Sequence, residues 1–197
     1  MKSLLTLLVL SFVLSAHSQE QEICPGSRIP RGWVITSYRN CAGCCGSTGL
    51  VKMPTIKRID NLPADATVEI CQQPIPQGWV VISNRNCAGC CGGDGLVVLS
   101  TIKRIDNLPA GSTLEICPGP IPRGWVTISV RNCAGCCAST GLVKLPTIKR
   151  IDNLPAGTTL EICPGQVPRG WVVISIRDCA GCCAVPGLVR LQTIKKL

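Results

Sequence analysis

The feature that most constrains the fold of this chain is a fourfold repeat in which every copy carries four cysteines. The segments NCAGCCGSTGL, NCAGCCGGDGL, NCAGCCASTGL and DCAGCCAVPGL follow one another at nearly equal spacing. A tryptophan precedes each of them, and successive tryptophans stand 46 positions apart. They are Trp33, Trp79, Trp125 and Trp171. Self-similarity at an interval of this length indicates a tandem array of small structural units.

Boundaries placed before each Glu-Ile-Cys sequence divide the array into four units. These repeats are 22–68, 69–114, 115–160 and 161–197, each with four cysteines. The joining segment, such as IDNLPAGTTLEIC between the third and fourth units, is either a connector or a strand given to the following unit. The fourth unit ends at TIKKL without this segment.

Within a unit the residues favour β-structure. WVVIS is rich in β-branched residues, GLVKLPTIKRI interleaves apolar and polar positions, and TLEIC is a third short strand between turn sequences. The sequence therefore predicts an all-β, small, disulfide-rich fold, built as a tandem array of four ~46-residue β-meander units. Pro54 and Pro146 interrupt the second strand, which predicts an edge position or a bulge there.

The cysteines are expected to cross-link these units, because a unit of this size buries too little surface to be stable without cross-links. Four cysteines give two disulfides within each unit, so all are predicted to be oxidised and one unit is expected to fold alone. A bond between the neighbours Cys44 and Cys45 would be strained, which leaves Cys24 paired with either of them. The predicted disulfide cysteines are Cys24, Cys41, Cys44, Cys45, Cys71, Cys87, Cys90, Cys91, Cys117, Cys133, Cys136, Cys137, Cys163, Cys179, Cys182 and Cys183.

Two other uses of the cysteines fit the sequence less well. A thioredoxin-like redox site needs an exposed thiolate of low pKa at a helix N-terminus, whereas this Cys-x-x-Cys lies in a glycine-rich turn beside a third cysteine. A structural zinc site joins two separated Cys-x-x-Cys hooks or uses histidine, and neither pattern occurs here. We predict no metal and no other cofactor.

Residues 1–18 have the pattern of a secretory signal peptide. Lys2 precedes the apolar run LLTLLVLSFVL, and Ala16-His17-Ser18 suits signal peptidase. The run is too short to cross a membrane, and no other candidate follows it. The protein is therefore expected to be secreted and extracellular, where thiols pair, and to have no transmembrane segment.

Loss of the signal peptide would remove His17, which is the one histidine of the chain. The remaining chain could not use a Ser-His-Asp or Cys-His mechanism, nor an imidazole metal ligand. We therefore predict that the protein is not an enzyme.

The recurring tryptophan has two interpretations, a core residue or an exposed platform that stacks on sugar rings. Each unit has one tryptophan and almost no other aromatic residue, so the core interpretation is favoured.

Basic residues also recur, and the chain has a formal net charge of +9. Lys and Arg stand side by side in TIKRI, and an arginine follows proline in the Pro-Arg-Gly sequences. The candidate binding residues are Arg31, Arg123, Arg169, Lys57, Arg58, Lys149 and Arg150. Neighbouring residues of a strand point to opposite faces, so a Lys-Arg pair forms one patch only where the strand bulges. A solvated surface is the simpler explanation for the pairs.

These features favour a secreted, non-enzymatic, cysteine-rich repeat protein with a structural or multivalent binding role in a matrix, coat or defence secretion. The expected partner is an anionic polysaccharide or another extracellular protein, and not nucleic acid. Two alternatives remain open. One is a cationic host-defence or glycan-binding protein, and the other is a serine protease inhibitor that uses the Pro-Arg-Gly loops.

Overall fold

The computed structural model describes residues 20–197, so the predicted signal peptide lies outside the described residues. Twelve strands and four single-turn 3-10 helices make up this part of the chain. The strands are β1 (Glu20–Glu22), β2 (Trp33–Ala42), β3 (Leu50–Arg58), β4 (Thr67–Ile70), β5 (Trp79–Ala88), β6 (Leu96–Arg104), β7 (Thr113–Glu115), β8 (Trp125–Ala134), β9 (Leu142–Arg150), β10 (Thr159–Ile162), β11 (Trp171–Ala180) and β12 (Leu188–Lys196). The 3-10 helices are Cys44–Gly46, Cys90–Gly92, Cys136–Ala138 and Cys182–Ala184. The predicted all-β repeat fold is confirmed.

The strands form four three-stranded antiparallel sheets, one for each repeat. Their orders are β1-β3-β2, β4-β6-β5, β7-β9-β8 and β10-β12-β11. In each sheet two long strands form a hairpin, and a short strand pairs with the free side of the hairpin's second strand. The segment after Asn-Leu-Pro is therefore a strand of the following sheet. This strand precedes the hairpin of its sheet in the chain. The predicted boundary between units 1 and 2, at positions 68 and 69, therefore falls inside β4.

The second strand of each hairpin lies at the centre of its sheet, so the edge position expected for Pro54 is wrong. The proline fits because β1 pairs with β3 only as far as Thr55, and the Pro54 carbonyl then accepts the Ile23 N–H at 3.1 Å. A bulge does occur, but it lies on the partner strand, between Ile35 and Ser37. The same bulge recurs in the other three hairpins.

Eight disulfides join all sixteen cysteines, two in each unit. In the first unit Cys24 bonds to Cys45 and Cys41 bonds to Cys44, which settles the pairing that the sequence left open. The other long-range bonds are Cys71–Cys91, Cys117–Cys137 and Cys163–Cys183. The other short-range bonds are Cys87–Cys90, Cys133–Cys136 and Cys179–Cys182. The long-range bonds tie the start of each unit to the tip of its hairpin.

Three hydrophobic core clusters of the described residues lie between neighbouring units. In the first core, Val34 and Ile59 of unit 1 pack against Trp79 and Ile102 of unit 2. The second core joins Val80, Ile105, Ile116, Trp125 and Ile148, and the third joins Val126, Ile151, Ile162, Trp171 and Ile194. Each unit therefore completes the core of the next one, as in a solenoid.

This arrangement confirms the core interpretation for three tryptophans and argues against the expectation that one unit folds alone. Trp79, Trp125 and Trp171 are each only 7% exposed. They are covered by apolar side chains of the preceding unit, which a single unit lacks. Trp33 is only partly buried.

Candidate functional site

Each Pro-Arg-Gly sequence forms a tight turn at the start of its hairpin. In unit 3 the Trp125 N–H donates to the Pro122 carbonyl at 3.1 Å, and Gly124 has φ 82°. A four-residue turn with positive φ at its third position is of type II, so Arg123 occupies the exposed corner. The equivalent corner residues are Arg31, Gln77 and Arg169.

Glycine is required in this turn for two reasons. Its positive φ is unfavourable for any residue with a side chain. A Cβ at Gly124 would also overlap the carboxyl group of Asp152, which stands in the Asp-Asn-Leu-Pro loop of the same unit. The turn is thus packed against its own unit, and this packing fixes the position of the arginine.

Two grooves lie between the turns of neighbouring units, and we call them the loop-side grooves. The groove between units 2 and 3 has a volume of about 400 Å³ and is lined by residues 75–81 and 116–123. The groove between units 3 and 4 has a volume of about 850 Å³, and residues 121–127 and 162–169 form most of its lining. Residues 121–123 line both grooves, so the two sites lie next to each other along the array.

The loop-side grooves combine apolar walls with positive charge. Prolines line both of them, Ile75 and Ile121 are exposed, and Arg123 stands between the two sites. Within residues 20–197 neither Arg123 nor Arg169 has a carboxylate partner. These two arginines are therefore able to bind an anionic group from outside the chain. A role for them as bait for a trypsin-like protease stays a prediction.

A second set of arginines is neutralised within the sheets. In unit 3 the Arg131 guanidinium donates two hydrogen bonds to the Glu115 carboxylate, each 2.6 Å long. This hydrogen bonding is the main cause that lowers the pKa of Glu115 below its ordinary value of 4.5 and raises the pKa of Arg131. The equivalent pairs in the other units are Arg39 with Glu22, Arg85 with Glu69, and Arg177 with Glu161. Each pair connects the short strand at one edge of the sheet to the first hairpin strand at the other edge, across the central strand.

Three of the four candidate residues in the Lys-Arg pairs also have structural partners. Lys57 forms an ion pair with Glu20 at 3.1 Å, and Arg58 forms one with Asp60 at 2.6 Å. The Arg150 guanidinium donates to the Leu108 carbonyl of the preceding unit, and Lys149 is half-buried. The structure therefore does not bring these four candidate residues into the loop-side grooves.

Sequence reasoning missed both the grooves and a row of exposed leucines. The grooves arise from two consecutive units, so no single repeat contains their signal. The leucines stand at the tips of the hairpins and are between 69% and 76% exposed. They are Leu50, Leu96, Leu142 and Leu188. Their recurrence after each CAGCC segment was the available signal.

The described residues contain no free thiol, because every cysteine is in a disulfide. Among the same residues no group of three or more His, Cys, Asp or Glu side chains is placed to hold a metal ion. No helix in this part of the chain is both long and apolar enough to cross a membrane.

Comparison of the chain with protein-family models, with curated proteins and with solved structures finds no match.

Proposed function

We propose that the protein is a secreted, non-catalytic binding scaffold that holds an extended segment of another extracellular protein in its loop-side grooves. The observation that carries this proposal is that two grooves share the turn at 121–123 and follow each other along one side of the array. A partner that runs along this side would contact both grooves at once.

The lining of the grooves favours a protein over a polysaccharide. Proline and isoleucine side chains offer contacts to apolar groups, while Arg123 and Arg169 offer contacts to carboxylates. Sugar stacking needs exposed aromatic faces, but the tryptophans at both grooves are covered. Nine of the nineteen lysines and arginines in residues 20–197 pair with acids, but the net charge stays positive, so charge-driven binding to an anionic polymer is the competing function. The preferred segment is therefore rich in apolar and acidic residues.

Repetition of the sites increases the strength of binding. Once one groove is occupied, the second contact occurs within the complex and gains from a high effective concentration. The short connections and shared cores hold neighbouring grooves at a fixed separation, so a partner with matching spacing is preferred. The eight disulfides agree with a role in an oxidising, extracellular space.

The proposal is tested by retention of the oxidised protein on two immobilised probes. One is a library of extended peptides that contain apolar and acidic residues, and the other is a sulfated polysaccharide. We expect peptide binding that weakens about ten-fold in Ile121→Ser and in Arg123→Ser, because each removes a contact from both grooves. Leu142→Ser is the matched control, because it removes an exposed apolar side chain at a hairpin tip.

Three results would contradict this function. If neither probe is retained, the grooves are not binding sites for such polymers. If the polysaccharide alone is retained, and Arg123→Ser weakens its binding while Ile121→Ser does not, the protein binds glycans by charge. A loss of peptide binding in Leu142→Ser equal to that in Ile121→Ser would place the site at the hairpin tips.

A further inference from the structure

The outer strand of the fourth sheet exposes an apolar surface that is covered in every other unit. Val172, Val173, Ile174 and Ile176 of β11 are between 38% and 52% exposed. The residues equivalent to Val172 are Val34, Val80 and Val126, and these are between 1% and 6% exposed. Leu197, which follows β12, is exposed beside Gly170. We call these five residues, Val172, Val173, Ile174, Ile176 and Leu197, the C-terminal face.

The chain itself shows what covers such a surface. In the three contacts between units, the valine of one unit packs against the tryptophan of the next. A backbone hydrogen bond accompanies each contact. The Cys117 N–H donates to the Val81 carbonyl at 2.8 Å, and the Cys163 N–H donates to the Thr127 carbonyl at 2.9 Å. The Cys71 N–H makes the same bond to Ile35 at 2.9 Å. One interface is thus repeated three times with the same atoms.

The first unit carries the opposite half of this interface. Ile23 and Trp33 occupy the positions of Ile70 and Trp79, but they are only partly buried. Among residues 20–197 the Cys24 N–H has no backbone acceptor, whereas its equivalents bond to the preceding unit. We call Gln21, Ile23 and Trp33 the N-terminal face.

We infer that a second copy of this chain docks its N-terminal face on the C-terminal face, so that the protein assembles head to tail. Trp33 of one copy would pack against Val172 of the other, and the Cys24 N–H would donate to the Val173 carbonyl. This inference goes beyond the proposed binding function, because it concerns the two ends of the array and not its loop side.

The composition of the C-terminal face supports docking. Solenoid proteins stay soluble when their terminal repeats have a polar outer face. β11 has the opposite character, since its exposed side chains Val172, Ile174 and Ile176 are apolar. A contact between two different surfaces leaves one of each face free, so further copies add on until the assembly closes into a ring or extends as a filament.

The first experiment measures the mass of the oxidised, secreted protein by light scattering over a range of concentrations. We expect a series of oligomers that grows with concentration. Val172→Asp should raise the concentration needed for assembly at least about ten-fold, because docking would bury a charge without a partner. Ile174→Asp should act in the same way, and Leu142→Asp is the control on an exposed leucine outside both faces. Circular dichroism and the mass of the disulfide-bonded chain establish that each variant is folded.

The second experiment distinguishes head-to-tail docking from a symmetric contact. Ile23→Asp blocks the N-terminal face and leaves the C-terminal face intact, while Val172→Asp does the reverse. Neither variant should assemble alone, but a mixture should form a dimer that grows no further. Gln21→Asp gives a second N-terminal variant at an exposed position. Dimers of Ile23→Asp alone would instead mean that two C-terminal faces pair, and the inference would be wrong.

The inference also fails if the unmodified protein stays monomeric at all concentrations, or if Val172→Asp assembles as well as the parent. Its failure is separable from that of the proposed function. Ile121→Ser and Arg123→Ser should assemble normally, and monomeric Val172→Asp should still bind the peptide probe.

Discussion

The glycine of the Pro-Arg-Gly-Trp turn shows how one position fixes the local geometry of a unit. Gly124 combines a φ of 82° with close packing against Asp152. The sequence alone predicts a turn here, because proline and glycine flank the exposed residue. It does not reveal that the glycine faces an acidic side chain about thirty residues later, because that contact depends on how the loop after the hairpin folds back.

Replacement of Gly124 by alanine should destabilise the third unit by at least about 1–2 kcal/mol, which is the usual cost of a left-handed conformation in an L-residue. The measurement is the midpoint of chemical unfolding of the oxidised protein. Gly119→Ala is the matched control, because Gly119 has no positive φ and a Cβ there meets only the Cys117 carbonyl at 3.8 Å.

The cost of the contact with Asp152 can be measured separately from the cost of the left-handed backbone conformation. Gly124→Ala combined with Asp152→Ala should recover part of the lost stability, because the small side chain leaves room for the new Cβ. Equal midpoints for the single and the double variant would show that only the backbone conformation matters.

At the scale of the strands and cross-links, much of the fold follows from the sequence. Interleaved apolar and polar residues predicted the strands, and an even number of cysteines in each unit predicted two disulfides. The choice between Cys44 and Cys45 could not be made, because neighbouring cysteines have almost the same reach along the chain. The backbone decides it, since Cys45 adopts φ 56° and bonds to Cys24, while Cys44 bonds to Cys41.

The two kinds of disulfide should contribute unequally to stability. Cys117 and Cys137 are separated by 20 positions, and Cys133 and Cys136 by 3. Loop-closure entropy predicts a loss of about 3 kcal/mol when the first pair is replaced by alanine, and about half as much for the second pair. Denaturant unfolding of the two double variants measures this difference. A greater loss of stability for the short-range pair would mean that this disulfide stabilises the protein mainly by holding the tip of the hairpin, and not by reducing chain entropy.

At the scale of the whole molecule, the placement of the cores is the feature that sequence reasoning could not supply. An apolar pattern shows which face of a strand is buried, but not whether the covering residues come from the same unit or from its neighbour. Identical repeats make the two possibilities indistinguishable, because every partner has an equivalent in the next copy. For the same reason the loop-side grooves, which form between units, had no signature within one repeat.

A fragment with one unit and a fragment with two units should therefore behave differently. Residues 111–157 contain Trp125 but lack Val80 and Ile105, whereas residues 65–157 contain the whole second core. We expect the two-unit fragment to unfold cooperatively and to protect its amides from exchange, and the one-unit fragment to do neither. Intact mass must first show that both fragments have formed their disulfides. Cooperative unfolding of the single unit would contradict the shared-core description.

The shared core also affects how such a gene can change in length. Each core is made from one unit and the next, so an in-frame duplication of 46 codons adds a core, two cross-links and another groove without any new type of contact. An insertion of one residue within a strand would instead turn its buried side chains outward. Unequal recombination between repeats therefore yields folded proteins whose lengths differ by whole units. Natural selection can then adjust the length of the array, and its number of grooves, through the number of repeats.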